Sequence, residues 1–235
     1  MKSKIQQSLN QDKETKILNF DAGDGQAIPM LLEIAQKHPA PLLVTIIDRR
    51  RTDKAEQLLL SAGFNQEGTT FKRDSVTFNM IANPNHLIQT IYSSGPFDLA
   101  LALGDRLSAV APQMLRYDVL IAITNVSNKM ALSFKADDYH MEDLSFARSR
   151  GYERGEILTN GPDGLQTCGV YDVDQLKNVM KATGATNIEV FKQDEHPLLA
   201  ILPGVGSCFK TRMLGVVAKG KAVRLADGVV NQIGR

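Results

Sequence analysis

Ile17-Leu18-Asn19-Phe20-Asp21-Ala22-Gly23-Asp24-Gly25 is the stretch on which the fold of this 235-residue chain turns. With Lys16, its first four residues read as a short buried strand, and its last five as a turn. From Ala27 to Lys37 the apolar residues Ile28, Leu31, Leu32 and Ile34 recur at helical spacing, with Pro29 tolerated in the first turn. A glycine-bearing turn between a first parallel strand and a helix lets the backbone approach a ligand closely. It also points the free N–H groups of the helix start toward that ligand. Two glycines alone are equally well explained by a tight connection.

The pattern outward from that turn decides more. Leu42 to Ile47 is an apolar run rich in β-branched residues that ends at Asp48, as expected of a strand covered on both faces. Lys54 to Ala62 reads as a helix with Gly63 at its exit, Val76 to Ile81 as a strand, and Pro84 to Tyr92 as a helix. Phe97 to Leu103 then reads as a strand, Leu107 to Leu115 as a helix, and Val119 to Thr124 as a fifth strand. Alternating β-α units of this length imply a parallel sheet with helices on both faces and right-handed crossovers.

Beyond Thr124 the rhythm changes. Residues 125–169 are polar and weakly periodic, and read as an insertion, partly helical around Asp138 to Arg148. Val173 to Thr183 reads as a helix closed by Gly184, followed by strands at Asn187 to Phe191 and Leu198 to Leu202. The expected architecture is therefore a Rossmann-like, doubly wound α/β domain over residues 16–204, with seven mostly parallel strands and helices on both faces. A polar segment, 1–15, precedes it, and a C-terminal extension, 205–235, contains an apolar run from Met213 to Ala218.

Composition bounds the function. The chain is 43% apolar and 23% charged, with 27 basic against 26 acidic residues. Near-neutral charge argues against a dedicated nucleic-acid binder. The one basic run, Arg49-Arg50-Arg51, reads as a solvated loop. Two cysteines, Cys168 and Cys208, match no metal or redox spacing. Neither a secretion signal nor an apolar run long enough for a bilayer is evident, so a cytoplasmic location without membrane partners is expected.

In doubly wound folds an acid at the end of the second strand accepts hydrogen bonds from the ribose hydroxyls of an adenosine moiety. Asp48 stands there, about twenty-five residues beyond the turn, an interval like the one such folds use. Ligands in open sheets sit at the carboxyl ends of strands where the strand order reverses. Ala82 and Asn83, with Leu103, Gly104 and Asp105, are expected to line the same crevice.

The stretch from Ile17 to Gly25 resembles the first motif of the class I S-adenosylmethionine-dependent methyltransferases, in which two apolar residues, an acid and an apolar residue precede Gly-x-Gly-x-Gly. Asp48 sits where that family's ribose-binding acid ends the second strand. Phe97-Asp98-Leu99-Ala100-Leu101-Ala102-Leu103-Gly104 is similar to its fourth strand. Tyr171-Asp172-Val173-Asp174-Gln175-Leu176 and Gly184-Ala185-Thr186-Asn187-Ile188-Glu189-Val190 are similar to the late helix and strand of its small-molecule branch. The likeness covers about residues 15 to 204. It implies S-adenosylmethionine as cofactor, with Gly23 and Gly25 facing the methionine part, Asp48 the ribose, and Ala82 and Asn83 the adenine edge. It also implies a small-molecule acceptor covered by the 125–169 insertion, where the arginines of 148–154 suit an acidic substrate. A homodimer, with a partner subunit supplying part of the lid, is compatible with the short amino terminus.

Two positions depart from the motif. Asn19 stands in place of the acid that helps hold the cofactor's ammonium, and Asp21 in place of the first glycine. An amide oxygen accepts the same hydrogen bond without charge, and Asp21 brings a carboxylate back nearby. The departures keep a second reading open, a methyltransferase-like subunit that binds or assembles without catalysis. A nicotinamide-dependent oxidoreductase fits less well, because Ile28 falls where a third glycine belongs.

His140, in the insertion, and Asp105 are the candidates for chemistry at the acceptor. His38, His86 and His196 read as structural or exposed. Thr124-Asn125 faintly resembles the Asp-Asn pair that holds the metal in catechol-type O-methyltransferases. With threonine replacing the acid the oxygen set is incomplete, and no metal is expected.

Overall fold

Apolar runs that end in turn chemistry become the centre of one sheet. The computed structural model describes residues 9, 13–20, 27–48, 53–82, 84–102, 117–136, 156–161, 164–171, 173–193 and 213–223. Along these residues the chain forms β1 (Thr15–Phe20), α1 (Ala27–Lys37), β2 (Leu42–Asp48), α2 (Asp53–Ser61), β3 (Asn65–Glu67), β4 (Thr70–Arg73) and β5 (Val76–Ala82). Then come α3 (Leu87–Ser94), β6 (Phe97–Ala102), α4 (Tyr117–Val126), β7 (Ser127–Ala136), β8 (Glu156–Gly161) and β9 (Gly164–Tyr171). The last are α5 (Val173–Ala182), β10 (Thr186–Gln193) and β11 (Met213–Lys219).

The sheet runs β10-β11-β7-β6-β1-β2-β5-β4-β3, with β8 and β9 branching from β7. Its centre is parallel: β1 pairs with β2 and β6, β2 with β5, and β6 with β7. The chain lays β2 and β5 on one side of β1, then returns to lay β6 and β7 on the other. The order therefore reverses between β1 and β6. Helices cover both faces, as doubly wound folds require. Ile17, Val44, Ile46, Phe78 and Leu101 pack against α1 and α2. Leu18, Phe20, Ile47, Ala100 and Met130 pack against α3, α4 and α5. β1, β2 and β6 thus bury both their faces, which is why they read as mostly apolar runs.

Two helix exits follow the expected chemistry closely. Behind α2, the N–H of Phe64 donates to Leu59 O and that of Gly63 to Leu60 O; behind α5, Ala185 donates to Met180 O and Gly184 to Lys181 O. These are Schellman closures, and Gly63 and Gly184 hold the left-handed positions at φ 82° and 88°. A Cβ at Gly63 meets nothing closer than the Arg73 side chain. Gly63→Ala is therefore expected to cost about 1–2 kcal/mol through backbone strain alone, read from urea unfolding with an unchanged slope.

Several elements differ from the sequence expectation. Val119 to Thr124 is helix, not strand. Its buried residues Val119, Leu120, Ala122, Ile123 and Val126 form one helical stripe against the sheet. The fifth parallel strand is β7, inside the polar stretch that begins at Asn125. Met130 and Leu132 face one side of the sheet and Ala131 the other. The Met213 run is β11, lying antiparallel between β7 and β10. Residues 65–73 add an antiparallel hairpin at the β5 edge, which the sequence reading lacked. The helix at Leu107 to Leu115, the strand at Leu198 to Leu202 and the helical stretch around 138–148 lie outside the described residues. No described helix is long and apolar enough to cross a membrane.

Candidate functional site

The reversal of strand order places the expected ligand crevice at the carboxyl ends of β1 and β6. β1 reaches that edge with Asn19 and Phe20, and side chains alternate across a strand. Phe20 enters the α3–α5 side of the core. Asn19 falls on the opposite side, paired with Ile46 of β2 and Leu101 of β6. Ile46 and Leu101 both belong to the apolar cluster under α1 and α2. Asn19 is thus a polar residue set one position from the end of the central strand, flanked by hydrocarbon.

It is 1% exposed, and its Nδ2 has no hydrogen-bond partner among the described residues. A buried amide hydrogen without an acceptor costs about 1–3 kcal/mol, so such a group at a strand's carboxyl end calls for a reason.

Asp48 closes β2, two residues beyond the Ile46 that lies beside Asn19, and therefore on the same face. It too is 1% exposed. Ala82, the last residue of β5, is its direct neighbour in the sheet and is exposed. Asn19, Asp48 and Ala82 thus share one face and one edge, the edge from which α1 departs. A carboxylate, an amide and an open backbone position are gathered there by strand registry alone.

The other candidates divide clearly. Asp21, Gly23, Gly25, Asn83, Leu103, Gly104, Asp105 and His140 lie outside the described residues, as do Arg49–Arg51 and the arginines of 148–154. Thr124 and Asn125 are placed, at the opposite edge of the sheet. They form the last turn of α4, which delivers the chain to Ser127 at the start of β7, next to Phe97 at the start of β6. Thr124 Oγ1 lies 3.1 Å from Thr183 Oγ1, and Asn125 Nδ2 donates to the Tyr92 hydroxyl at 2.9 Å. The pair braces helices, so its likeness to a metal-holding strand end does not survive. Among the described residues no cluster of three or more His, Cys, Asp or Glu is arranged to hold a metal.

His38 is buried at that same opposite edge, with Nδ1 2.8 Å from Ala40 O and Nε2 3.2 Å from Thr15 Oγ1. It ties the end of α1 to the start of β1. His86 caps the approach to α3, its carbonyl accepting from Thr90 N. Both act in the structure.

One feature of that edge was not legible in the sequence. β7 runs on past the end of β6, and its last residues, Lys135 and Ala136, pair with Val170 and Tyr171 of β9. That pairing fastens the β8–β9 hairpin to the carboxyl edge of the sheet. The apolar triplet Met130-Ala131-Leu132 was the signal for β7, obscured by the polar residues on either side of it.

No protein-family model matches the sequence, and no curated protein matches it. Solved structures do. A Listeria monocytogenes protein assigned to the S-adenosylmethionine-dependent methyltransferases superposes with a TM-score of 0.58 at 14% identity, over 93% of this chain and 95% of that one. An S-adenosylmethionine-dependent methyltransferase from Mesorhizobium loti gives 0.53 at 12% identity, over 92% and 96%. The CurJ carbon methyltransferase gives 0.54 at 15% identity, over 93% of this chain and 51% of that one. The chain has the fold of the class I S-adenosylmethionine-dependent methyltransferases.

Proposed function

We propose that this chain binds S-adenosylmethionine at the carboxyl edge of β1, β2 and β5 and transfers its methyl group to a small-molecule acceptor. The observation that carries the reading is the buried Asp48 at the end of β2, beside Asn19 on the same face of a sheet whose order reverses at β1. A carboxylate there suits the two ribose hydroxyls, each of which donates to it. Ala82, exposed at the end of β5, leaves room for the adenine edge. Asn19 meets the amino-acid end, and Gly23 and Gly25 let the turn approach it.

The nucleoside half of the cofactor fits these residues well. The amino-acid half fits differently, because an amide replaces the carboxylate that the family's motif provides. Bound there, S-adenosylmethionine supplies a methyl group on a positively charged sulfur, open to in-line attack. The chain's own part is positioning and the exclusion of water, with a proton acceptor needed only for an acceptor atom that holds its proton tightly. His140 and Asp105 are the candidates for that role. The β8–β9 hairpin, fastened to β7 at the same edge, is the element we assign to covering the acceptor.

A second reading is favoured by Asn19 itself: a subunit that binds the cofactor, or a remnant of it, without transfer. Incubating the chain with methyl-labelled S-adenosylmethionine and pooled small-molecule acceptors separates the two. Label is expected in a low-mass product that gains one CH₂. Saturable binding with no labelled product over long incubation supports the subunit reading.

Binding alone also has an expected size. At a hundredfold excess over its dissociation constant, S-adenosylhomocysteine stabilises the folded chain by about 2.7 kcal/mol, a rise in melting temperature of roughly 5–11 °C for a domain of this length. Reduced nicotinamide dinucleotide at equal concentration is expected to leave the melting temperature unchanged.

A further inference from the structure

Asn19 is buried among Ile17, Ile46, Leu99 and Leu101, none of which offers a hydrogen-bond acceptor from its side chain. Its Nδ2 is left unsatisfied among the described residues. A primary amide nitrogen carries two donors and no acceptor. An ammonium group likewise has only donors, so it cannot satisfy Nδ2, and it gains no ion pair from a neutral side chain. An oxygen with lone pairs satisfies it directly.

We infer that Asn19 reads the carboxylate of the ligand's amino-acid end, and that this site discriminates on that carboxylate rather than on the ammonium. The inference rests on the S-adenosyl reading of the site and adds to it the group that sets specificity. Asn19 is the positioning residue in this account, donating to an oxygen of the ligand and thereby fixing the tail while Asp48 fixes the ribose. An ammonium would select the opposite orientation of the amide, with Oδ1 outward, and the two orientations make opposite predictions for analogues. Asp21, two residues along the chain, brings a carboxylate of its own, and an ammonium held there would appear in the same experiment.

The test is calorimetric titration of the full chain with three ligands. One is S-adenosylhomocysteine. The second is its deaminated analogue, which keeps the carboxylate, and the third its decarboxylated analogue, which keeps the amine. The deaminated analogue is expected to bind within about 3-fold of the parent, and the decarboxylated one at least about 10-fold more weakly, the loss of one charge-assisted hydrogen bond. Asn19→Asp is expected to reverse that order, since a carboxylate repels the ligand's carboxylate and pairs with its amine. If Asn19→Asp does not fold, Asn19→Ser keeps a shorter donor and is expected to retain the wild-type order with a smaller spread.

A wild-type chain that loses the deaminated analogue and keeps the decarboxylated one overturns the inference, as does equal loss of both. In either case S-adenosylhomocysteine still binds, so the proposed function stands. No heat from any of the three overturns the functional reading and this inference with it.

Discussion

Replacing Asp48 by Asn is expected to weaken S-adenosylhomocysteine binding by about 10- to 100-fold while leaving the fold intact. Asp48 is all but inaccessible at the end of β2, in register with Ala82 and two residues beyond the strand partner of Asn19. A carboxylate so placed accepts from both ribose hydroxyls, and hydrogen bonds to an ionised acceptor are worth about 1.5–3 kcal/mol each. The amide keeps the shape and one acceptor oxygen, but loses the charge and offers an N–H where a hydroxyl must donate. The expected loss of about 1.5–3 kcal/mol corresponds to the stated range in dissociation constant. 5′-Methylthioadenosine, which shares the ribose and lacks the amino-acid tail, is expected to weaken by the same factor. Titration calorimetry reads both. A variant that loses only the longer ligand would place Asp48 at the tail and away from the ribose.

The second large effect is on stability and lies far from the crevice. Past β11 the chain turns back over the end of α4. The N–H groups of Gly220, Lys221, Ala222 and Val223 donate to the carbonyls of Asn128, Thr124, Ser127 and Asn125, at 2.7–3.1 Å. These are carbonyls that a helix end and a strand start would otherwise leave unpaired, so the segment acts as a cap supplied from ninety residues downstream. Gly220 makes the approach possible. A Cβ there would stand 2.2 Å from Ser127 O and 2.6 Å from Thr124 O, both rigid backbone atoms. Gly220→Ala is expected to cost about 3 kcal/mol, the upper end for overpacking, and to lower the melting temperature by roughly 6–12 °C. Lys221→Ala, whose side chain is exposed, serves as the neutral comparison. An unchanged melting temperature for Gly220→Ala would mean that the clasp does not close in solution.

What the residues disclosed and what they hid follow from how local each signal is. β1, β2 and β6 were legible because a strand buried on both faces needs a mostly apolar run, and the turn chemistry beside each marks its ends. Gly63 and Gly184 were legible because a Schellman closure needs a positive φ that only glycine adopts without strain. Val119 to Thr124 misled for the complementary reason. A helix packed against a sheet can also show a continuous apolar run with β-branched residues, and over six residues periodicity does not separate the two. That one exchange moved the end of the fifth strand from Thr124 to Ala136, and removed the apparent metal-binding likeness with it. β11 escaped because its place in the sheet depends on pairing with β7, whose register the sequence does not specify locally.

The site divides along the same line. The place of Asp48 at the end of β2 was legible because a strand end is itself a local feature, and that of Ala82 at the end of β5 follows from the same rule. Asn19 stands out in the sequence as a departure from a motif, but its surroundings come only from the fold. Only the register with Ile46 and Leu101 shows that the amide is flanked by hydrocarbon in the sheet, its Nδ2 without a hydrogen-bond partner among the described residues.

The most direct test of the account is titration calorimetry of the folded wild-type chain with S-adenosylhomocysteine. The expected result is a saturable heat with one site per chain, weakened by Asp48→Asn. A properly folded sample that gives no heat at ligand concentrations up to about the millimolar range, an affinity weaker than about −4 kcal/mol, would contradict it.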